Sequence, residues 1–318
     1  MDVGLVIPTR GPLATPEAIG TLVRRAEELG FAHLAVSDHL IVPRAIGSRY
    51  PYSETGAWAG AASGECLEQF TLLAYLAALS GSMRLITAVA VTPYRGAVHT
   101  AKIATTIDLL SGGRMVLGVG AGWLKEEFDA LNVPPFEDRG RVTDEYLQAF
   151  RILCAEDDPS FEGRHVQFAN VSFLPKPVQK PHPPIWVGGE SPPALRRAVR
   201  YGDTWFPIGN NPRHRLDTVT RFEDGVRRLH RTADQNGRDP KTIGLAFYAN
   251  WFDESKTLRV DDGERHLLTG SAREIAEDIA ALEEVGVRDL VLTFQRDTLE
   301  RSLASMQHFA DEIRPLIR

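Results

Sequence analysis

The sequence predicts an α/β protein, a (β/α)8 TIM barrel with one insertion. Short β-rich runs alternate with longer segments of helical period along the 318 residues, which argues for a parallel sheet. Eight strands can be counted, each with a helix behind it, and nothing between them reads as an internal repeat or an independent second domain. Residues 1–318 are therefore expected to form one domain.

The first strand, Val3 to Ile7, is almost wholly apolar. Pro16 opens a helix whose apolar residues Ile19, Val23, Ala26 and Leu29 fall three or four apart before Gly30 stops it. His33 to Val36 is the second strand and runs into Ser37-Asp38-His39. A long loop rich in Gly, Pro and Tyr, about 41–65, then intervenes, and loops of this length in a compact fold are usually functional, here as a lid. A helix is expected from about Cys66 to Leu79, a third strand from Met83 to Val91, and a helix from about Val98 to Leu110 that ends at Ser111-Gly112-Gly113. The fourth strand, Arg114 to Val119, leads into Gly120-Ala121-Gly122-Trp123, followed by helices over Lys125–Leu131 and Arg139–Leu153. About 156–184 reads as the insertion. Ile185 to Val187 and Thr204 to Phe206 are strands five and six around a helix from Pro192 to Tyr201. A long helix over Pro212–Gln235, a strand Thr242–Tyr248, a helix Ser271–Val285, a strand Arg288–Phe294 and a helical tail from Leu299 complete the series.

Composition narrows the function. With 43% hydrophobic and 25% charged residues the chain can bury a real core, which removes disordered and fibrous classes. The net charge of −6 is spread over interspersed acids and bases, and no Lys/Arg cluster is long enough to neutralise a run of phosphates, so no nucleic-acid partner is expected. No stretch approaches the roughly 18 apolar residues that span a bilayer, and the start lacks a signal-peptide layout, so the expected location is cytoplasmic, with no membrane partner. Cys66 and Cys154, the only cysteines, are expected to be reduced thiols.

In such a barrel the chemistry sits at the carboxyl ends of the strands. That rim comprises Thr9, Ser37 to His39, Val91 to Pro93, Gly120 to Trp123, Gly188 to Ser191, Ile208 to Asn210, Asn250-Trp251 and Gln295-Arg296. His39 beside Asp38 is a candidate acid/base, because its ordinary pKa lies near neutrality; the alternative is a loop histidine satisfied by backbone. Gly188-Gly189-Glu190-Ser191-Pro192 follows a strand and opens a helix, which suits either an anion cradle or an ordinary capped turn. Gly118, Gly120 and Gly122 do not have dinucleotide-fold spacing and are expected to leave room for a flat ring. Trp205 is expected in the core, whereas Trp58, Trp123 and Trp251 are expected to wall a substrate pocket. No H-x-H stands at a strand end, so no metal is expected. Glu126 and Glu127 follow Gly122 closely, though their helix places them as easily on a solvated face, and Glu190 with one of them is the only carboxylate pair for a glycosidase.

Ser37-Asp38-His39-Leu40, Thr92-Pro93, the run Ser111 to Trp123 with Glu126-Glu127-Phe128, Ile185-Trp186-Val187-Gly188-Gly189 and Gly202-Asp203-Thr204-Trp205 together resemble the bacterial luciferase-like monooxygenase superfamily, and within it the coenzyme F420-dependent oxidoreductases most of all. The resemblance covers nearly the whole chain. It implies a TIM barrel with an insertion, usually dimeric, holding a deazaflavin or flavin at the strand carboxyl ends. It would make His39 the acid/base beside the ring, with Ser37 and Asp38 in the ring pocket, Gly120 and Gly122 along it, and Val89-Ala90 behind it at a non-prolyl cis peptide and bulge. Val187, Gly188 and Gly189 would meet the ribityl phosphate.

Relatives that oxidise sugar phosphates carry a Trp shortly after the position of His39 and a Glu directly after the glycine run, where this chain has Pro43 and Trp123, so a more apolar substrate is expected. The reading that follows is an F420-dependent oxidoreductase moving a hydride to or from a small carbonyl, alcohol or enoyl compound. The alternatives are an FMN-dependent monooxygenase on the same site, a non-catalytic flavin-binding member of the fold, and, outside the family, a hydrolase.

Overall fold

A computed structural model describes residues 1–317. Its strands are β1 (Asp2–Val6), β2 (His33–Val36), β3 (Arg84–Thr87), β4 (Ala90–Val91), β5 (Met115–Gly120), β6 (Phe161–Glu162), β7 (Gln167–Phe168), β8 (Ile185–Gly188), β9 (Thr204–Phe206), β10 (Gly244–Ala249) and β11 (Val287–Leu292). The main helices are α1 (Pro16–Glu28), α2 (Gln69–Leu79), α3 (Ala97–Leu110), α4 (Lys125–Leu131), α5 (Arg139–Ala155), α6 (Pro192–Tyr201), α7 (Val219–Gln235), α8 (Ala272–Val285) and α9 (Leu299–His308).

The sheet runs β3-β2-β1-β11-β10-β9-β8-β5-β4, all parallel, and the pairing of β3 with β5 closes it. Because β3 and β4 are two pieces of one strand, broken by the cis Ala88–Val89 bond, the closed barrel has eight strands. The cis bond precedes Val89, one residue earlier than the Val89-Ala90 position expected. Within 156–184, β6 and β7 form a small antiparallel hairpin apart from the barrel.

Two helices start later than the sequence suggests, and in both cases a cap sets the boundary. Glu68 accepts from Thr71 N at 2.6 Å, so α2 begins at Gln69 rather than Cys66. Thr218 accepts from Arg221 N at 3.2 Å, so α7 begins at Val219 rather than Pro212. The segment before it turns back so that Leu216 N donates to Gly209 O.

The barrel interior is filled by Ala35, Ile86, Val116, Trp186, Phe206, Ala246 and Val291, while a larger apolar layer separates the strands from the helices. At the amino-terminal end Asp2, His33 and Asp289 converge, but Arg84 donates to both carboxylates, so the cluster is already charge-compensated. Buried Trp186 lies edge-on to His33 above it. Among the described residues the open cavity lies at the carboxyl end of the barrel. Among the described residues no helix is long and apolar enough to cross a membrane.

Candidate active site

A cavity of about 860 Å³ opens at the strand carboxyl ends. Ser37, Asp38, His39, Val89, Gly120, Gly122, Gly188, Gly189, Trp58 and Trp123 all line it. Three of the expected site residues stand apart. Ala90 and Val187 are buried in the layer between strands and helices. Trp251 turns away into the protein, edge-on to His266 with its indole N–H donated to Leu267 O at 2.7 Å. Its place at a strand end is right for the rim, but its ring packs beneath Gly209, where even a Cβ would lie 2.4 Å away.

His39 is held from behind by Glu127, for which the sequence indicated no role beside the histidine. Its Nδ1 lies 2.7 Å from Glu127 Oε2, an oxygen that also accepts from Tyr94 OH at 2.7 Å. Glu127 Oε1 accepts from Leu40 N at 2.7 Å and Ile41 N at 3.2 Å. Glu127 is fully buried, on the short helix α4, and the solvated-face expectation is overturned by these donors. Burial by itself would push its carboxyl up, but the hydrogen bond and charge of His39, with Leu40 N–H and Tyr94 OH, outweigh burial and hold it below the ordinary carboxylate range. An ionised Glu127 only accepts, so Nδ1 carries the proton and Nε2 is the nitrogen left to the cavity. Nε2 has no protein partner among the described residues.

The neighbouring Glu126 does the same for the lid. Its Oε1 accepts from Gly47 N at 2.7 Å and Ser48 N at 3.0 Å, while Ser48 Oγ accepts from Lys125 N at 3.1 Å. Loop 41–65 then lays Trp58 on the His39 ring, centroids 4.3 Å apart, with Trp123 edge-on to Trp58 and Tyr50 edge-on to Trp123. Asn210 Nδ2 latches the loop at Tyr52 O, 3.1 Å away. The glycosidase alternative loses its acids here, since Glu127 is occupied by protein donors and Glu190 is too: its oxygens accept from Ile208 N at 2.6 Å and Asn211 Nδ2 at 3.1 Å.

Asp38 is a buried structural anchor. It takes both ends of the Arg95 guanidinium, at 2.9 Å each, and Val91 N at 2.8 Å, so it fixes the segment after β4 against the end of β2. The glycines of β5 and β8 make room for protein rather than for an open face. A Cβ at Gly120 or Gly188 would lie 2.7 or 3.1 Å from the Val89 side chain, and one at Gly122 would lie 2.6 Å from Val91. They let Val89 project into the mouth and form its floor.

The far side of the cavity is basic. Gly188, Gly189 with its φ of +97°, Ser191, Arg139 and Arg197 line it, with exposed Glu137 at the rim. Ser191 caps α6 by position, yet its hydroxyl makes no capping bond, so it remains free toward the cavity. Arg139 spends Nε on Gly122 O and Nη1 on Phe136 O, and Arg197 spends Nε on Asp144 and Nη2 on Gly140 O. Each keeps a further N–H group for a ligand. Core Trp205 donates its indole N–H to Gly189 O at 2.9 Å and so fixes the cradle from beneath.

Glu190 ties this cradle to the segment after β9. Its burial pushes the carboxyl up to about 8, above the ordinary 4.5. A raised folded-state value contributes stability below about pH 4.5 and loses it as the pH climbs through about 8. Glu190→Gln, which cannot ionise, is therefore expected to gain melting temperature relative to the unaltered protein between about pH 5 and 8.5. A difference independent of pH across that range would mean the carboxyl stays ionised throughout.

The sequence profile of the Luciferase-like monooxygenase family matches residues 1–252. The chain belongs to that family. This luciferase-like protein is 28% identical to the FMNH2-dependent dimethylsulfone monooxygenase of Pseudomonas putida over 86% of its own length and 84% of that enzyme's. It is 32% identical to an uncharacterized protein of Mycobacterium tuberculosis over 67% of its length and 71% of the relative's. Its fold matches that of an F420-dependent secondary alcohol dehydrogenase with a TM-score of 0.76, covering 100% and 99% of the two chains at 16% identity. The chain is accordingly an oxidoreductase of the luciferase-like family. Family membership agrees with the fold and with the open cavity at the carboxyl end.

Proposed function

We propose that the protein is an F420-dependent oxidoreductase that exchanges a hydride between the deazaflavin and a small, largely apolar carbonyl, alcohol or enoyl compound. The reading includes the homodimer that the family resemblance implies. The observation that carries it is the His39–Glu127 pair. Hydride transfer to or from a carbon–oxygen bond needs a proton delivered or removed at that oxygen, and Nε2 of a histidine whose other nitrogen is fixed by a buried carboxylate suits that task.

The residues fit a phosphate-bearing cofactor: two arginines with unused N–H groups and an uncommitted serine hydroxyl converge at one side of the cavity. Ser191, Arg139 and Arg197 would hold the phosphate, and Val89 with Ser37 would face the ring. When bound, the group supplies the two-electron chemistry that no side chain provides. The protein orients the substrate against Trp58 and Trp123, screens it from water with loop 41–65, and holds or moves the proton at His39 Nε2. Arg139→Gln is expected to weaken FMN or F420 binding by roughly tenfold to a hundredfold, the loss of a charge-assisted hydrogen bond, while riboflavin, without the phosphate, binds the variant and the unaltered protein alike. Equal weakening of riboflavin would place Arg139 elsewhere.

A second reading, a monooxygenase using reduced FMN, is favoured by the sequence likeness to the Pseudomonas putida enzyme. Anaerobic incubation with F420 or its reduced form and a panel of ketones, secondary alcohols and enones separates the two. The proposal expects deazaflavin absorbance to change with substrate. No reaction with F420 there, together with oxygen uptake and an oxygenated product when reduced FMN and the same compounds are supplied in air, would replace it with the second reading.

A further inference from the structure

Arg10 follows β1, and the Ser191 cradle follows β8. In the strand order these two are four places apart in either direction around an eight-stranded barrel, so they face each other across the mouth. The cavity therefore has two basic sides, and a cofactor phosphate accounts for one of them.

The guanidinium of Arg10 is half-buried and has no carboxylate within 4.0 Å among the described residues, unlike Arg95 and Arg197, which are paired with Asp38 and Asp144. Its one polar contact is Ser37 Oγ at 3.5 Å, the outer limit of a hydrogen bond. The lid roofs it: its Cζ lies 4.9 Å from the Trp58 ring centre, and Gly60 leaves the space its Nη1 occupies, since a Cβ there would come within 1.8 Å. Burial pushes its pKa down and outweighs the opposing influence of Tyr50, Cys66, Tyr248 and, last, Glu127, none of which pairs with it directly. Gln295 follows β11, next to β1, and Asn250 follows β10, midway between β1 and β8; Asn250 leaves a buried Oδ1 unpartnered, and neither side chain makes a hydrogen bond among the described residues. A half-buried cation with five N–H donors, set against an aromatic ring and given only one long contact by the protein, is well placed to take a ligand's acceptor.

We propose that Arg10 is a specificity residue that receives a carboxylate on the substrate, so that the protein acts on apolar compounds bearing one acidic end. The inference rests on the reading of this cavity as a joint cofactor and substrate site. The carboxylate meets the fork of Arg10 beneath Trp58, and the apolar body lies along Tyr50, Trp58 and Phe206 toward His39.

Calorimetric titration of the protein with hexanoate and phenylacetate, each against its uncharged amide, with and without saturating FMN or F420, tests it. Both carboxylates are expected to bind at least about tenfold tighter than the amides, Arg10→Gln to erase that preference, and Arg10→Lys to keep part of it. Cofactor affinity should be the same in all three proteins. Absence of a preference in the unaltered protein, or a preference that survives Arg10→Gln, overturns the proposal, as does loss of cofactor rather than carboxylate binding in that variant. Should Arg10→Gln fail to fold, the carboxylate-to-amide comparison and Arg10→Lys decide alone. If neither cofactor binds, the redox reading fails, and the titrations without cofactor still judge Arg10.

Discussion

Replacing His39 by alanine is expected to lower turnover by roughly 10²- to 10⁴-fold, the usual effect of losing a positioned acid/base. The barrel should stay folded and cofactor affinity should change little. His39 makes one side-chain hydrogen bond, to Glu127, and that carboxylate retains Leu40 N–H, Ile41 N–H and Tyr94 OH when the ring is gone. The void under Trp58 leaves the strands themselves untouched, because the ring lies beyond the end of β2. Steady-state rates with saturating cofactor, beside melting curves and cofactor titrations, check all three points. Unchanged turnover would remove His39 from the mechanism.

Glu127→Gln is expected to come close to that loss although Glu127 never touches the cavity. An amide in this place cannot serve every donor around it. If its oxygen faces His39, its NH2 confronts Leu40 N–H and Ile41 N–H; if its NH2 faces His39, Nδ1 must accept and the proton moves to Nε2. Either arrangement spoils a buried contact, costing about 1–3 kcal/mol for each donor left unmatched. The second also presents the wrong tautomer to the substrate. Turnover should fall by roughly 10² or more, as when the carboxylate behind a catalytic histidine is neutralised. A merely structural role would lower the melting temperature and leave the pH–rate profile in place, whereas the positioning role moves the profile as well. Measuring both on the same variant distinguishes them.

Much of the barrel was legible because its boundaries are written in local chemistry. Helix α6 runs from Pro192 to Tyr201 and Thr204–Phe206 is a strand, both as read. Pro212 misled because proline suits a first helical turn, but the capping bond that starts α7 belongs to Thr218, and only tertiary contact holds the intervening turn. The site divides in the same way. His39 stood out because it directly follows a strand end. Glu127 did not, because it lies 88 residues away on a seven-residue helix too short to show which face is buried. The available signal was two adjacent carboxylates in the first turn of a helix at the catalytic rim, and the structure spends one on the histidine and the other on the lid. Arg139 opens one of the expected helices, Arg197 lies within another and Arg10 follows the first strand, and nothing local sets any of them apart. Only closure of the barrel brings them to one cavity. The glycines at 120, 122 and 188 pointed to a close approach, but what approaches most closely is Val89 or Val91, side chains whose positions depend on the break between β3 and β4.

On the proposed function, the mouth of this barrel binds a planar redox cofactor whose phosphate meets Ser191, Arg139 and Arg197. Titration of the protein with F420 and, separately, FMN, followed through quenching of the fluorescence of Trp58 and Trp123 in the cavity wall, tests it most directly. The expected result is saturable quenching by F420 with a 1:1 end point, shifted to weaker binding in Arg139→Gln. Emission unaffected by either cofactor would contradict the claim.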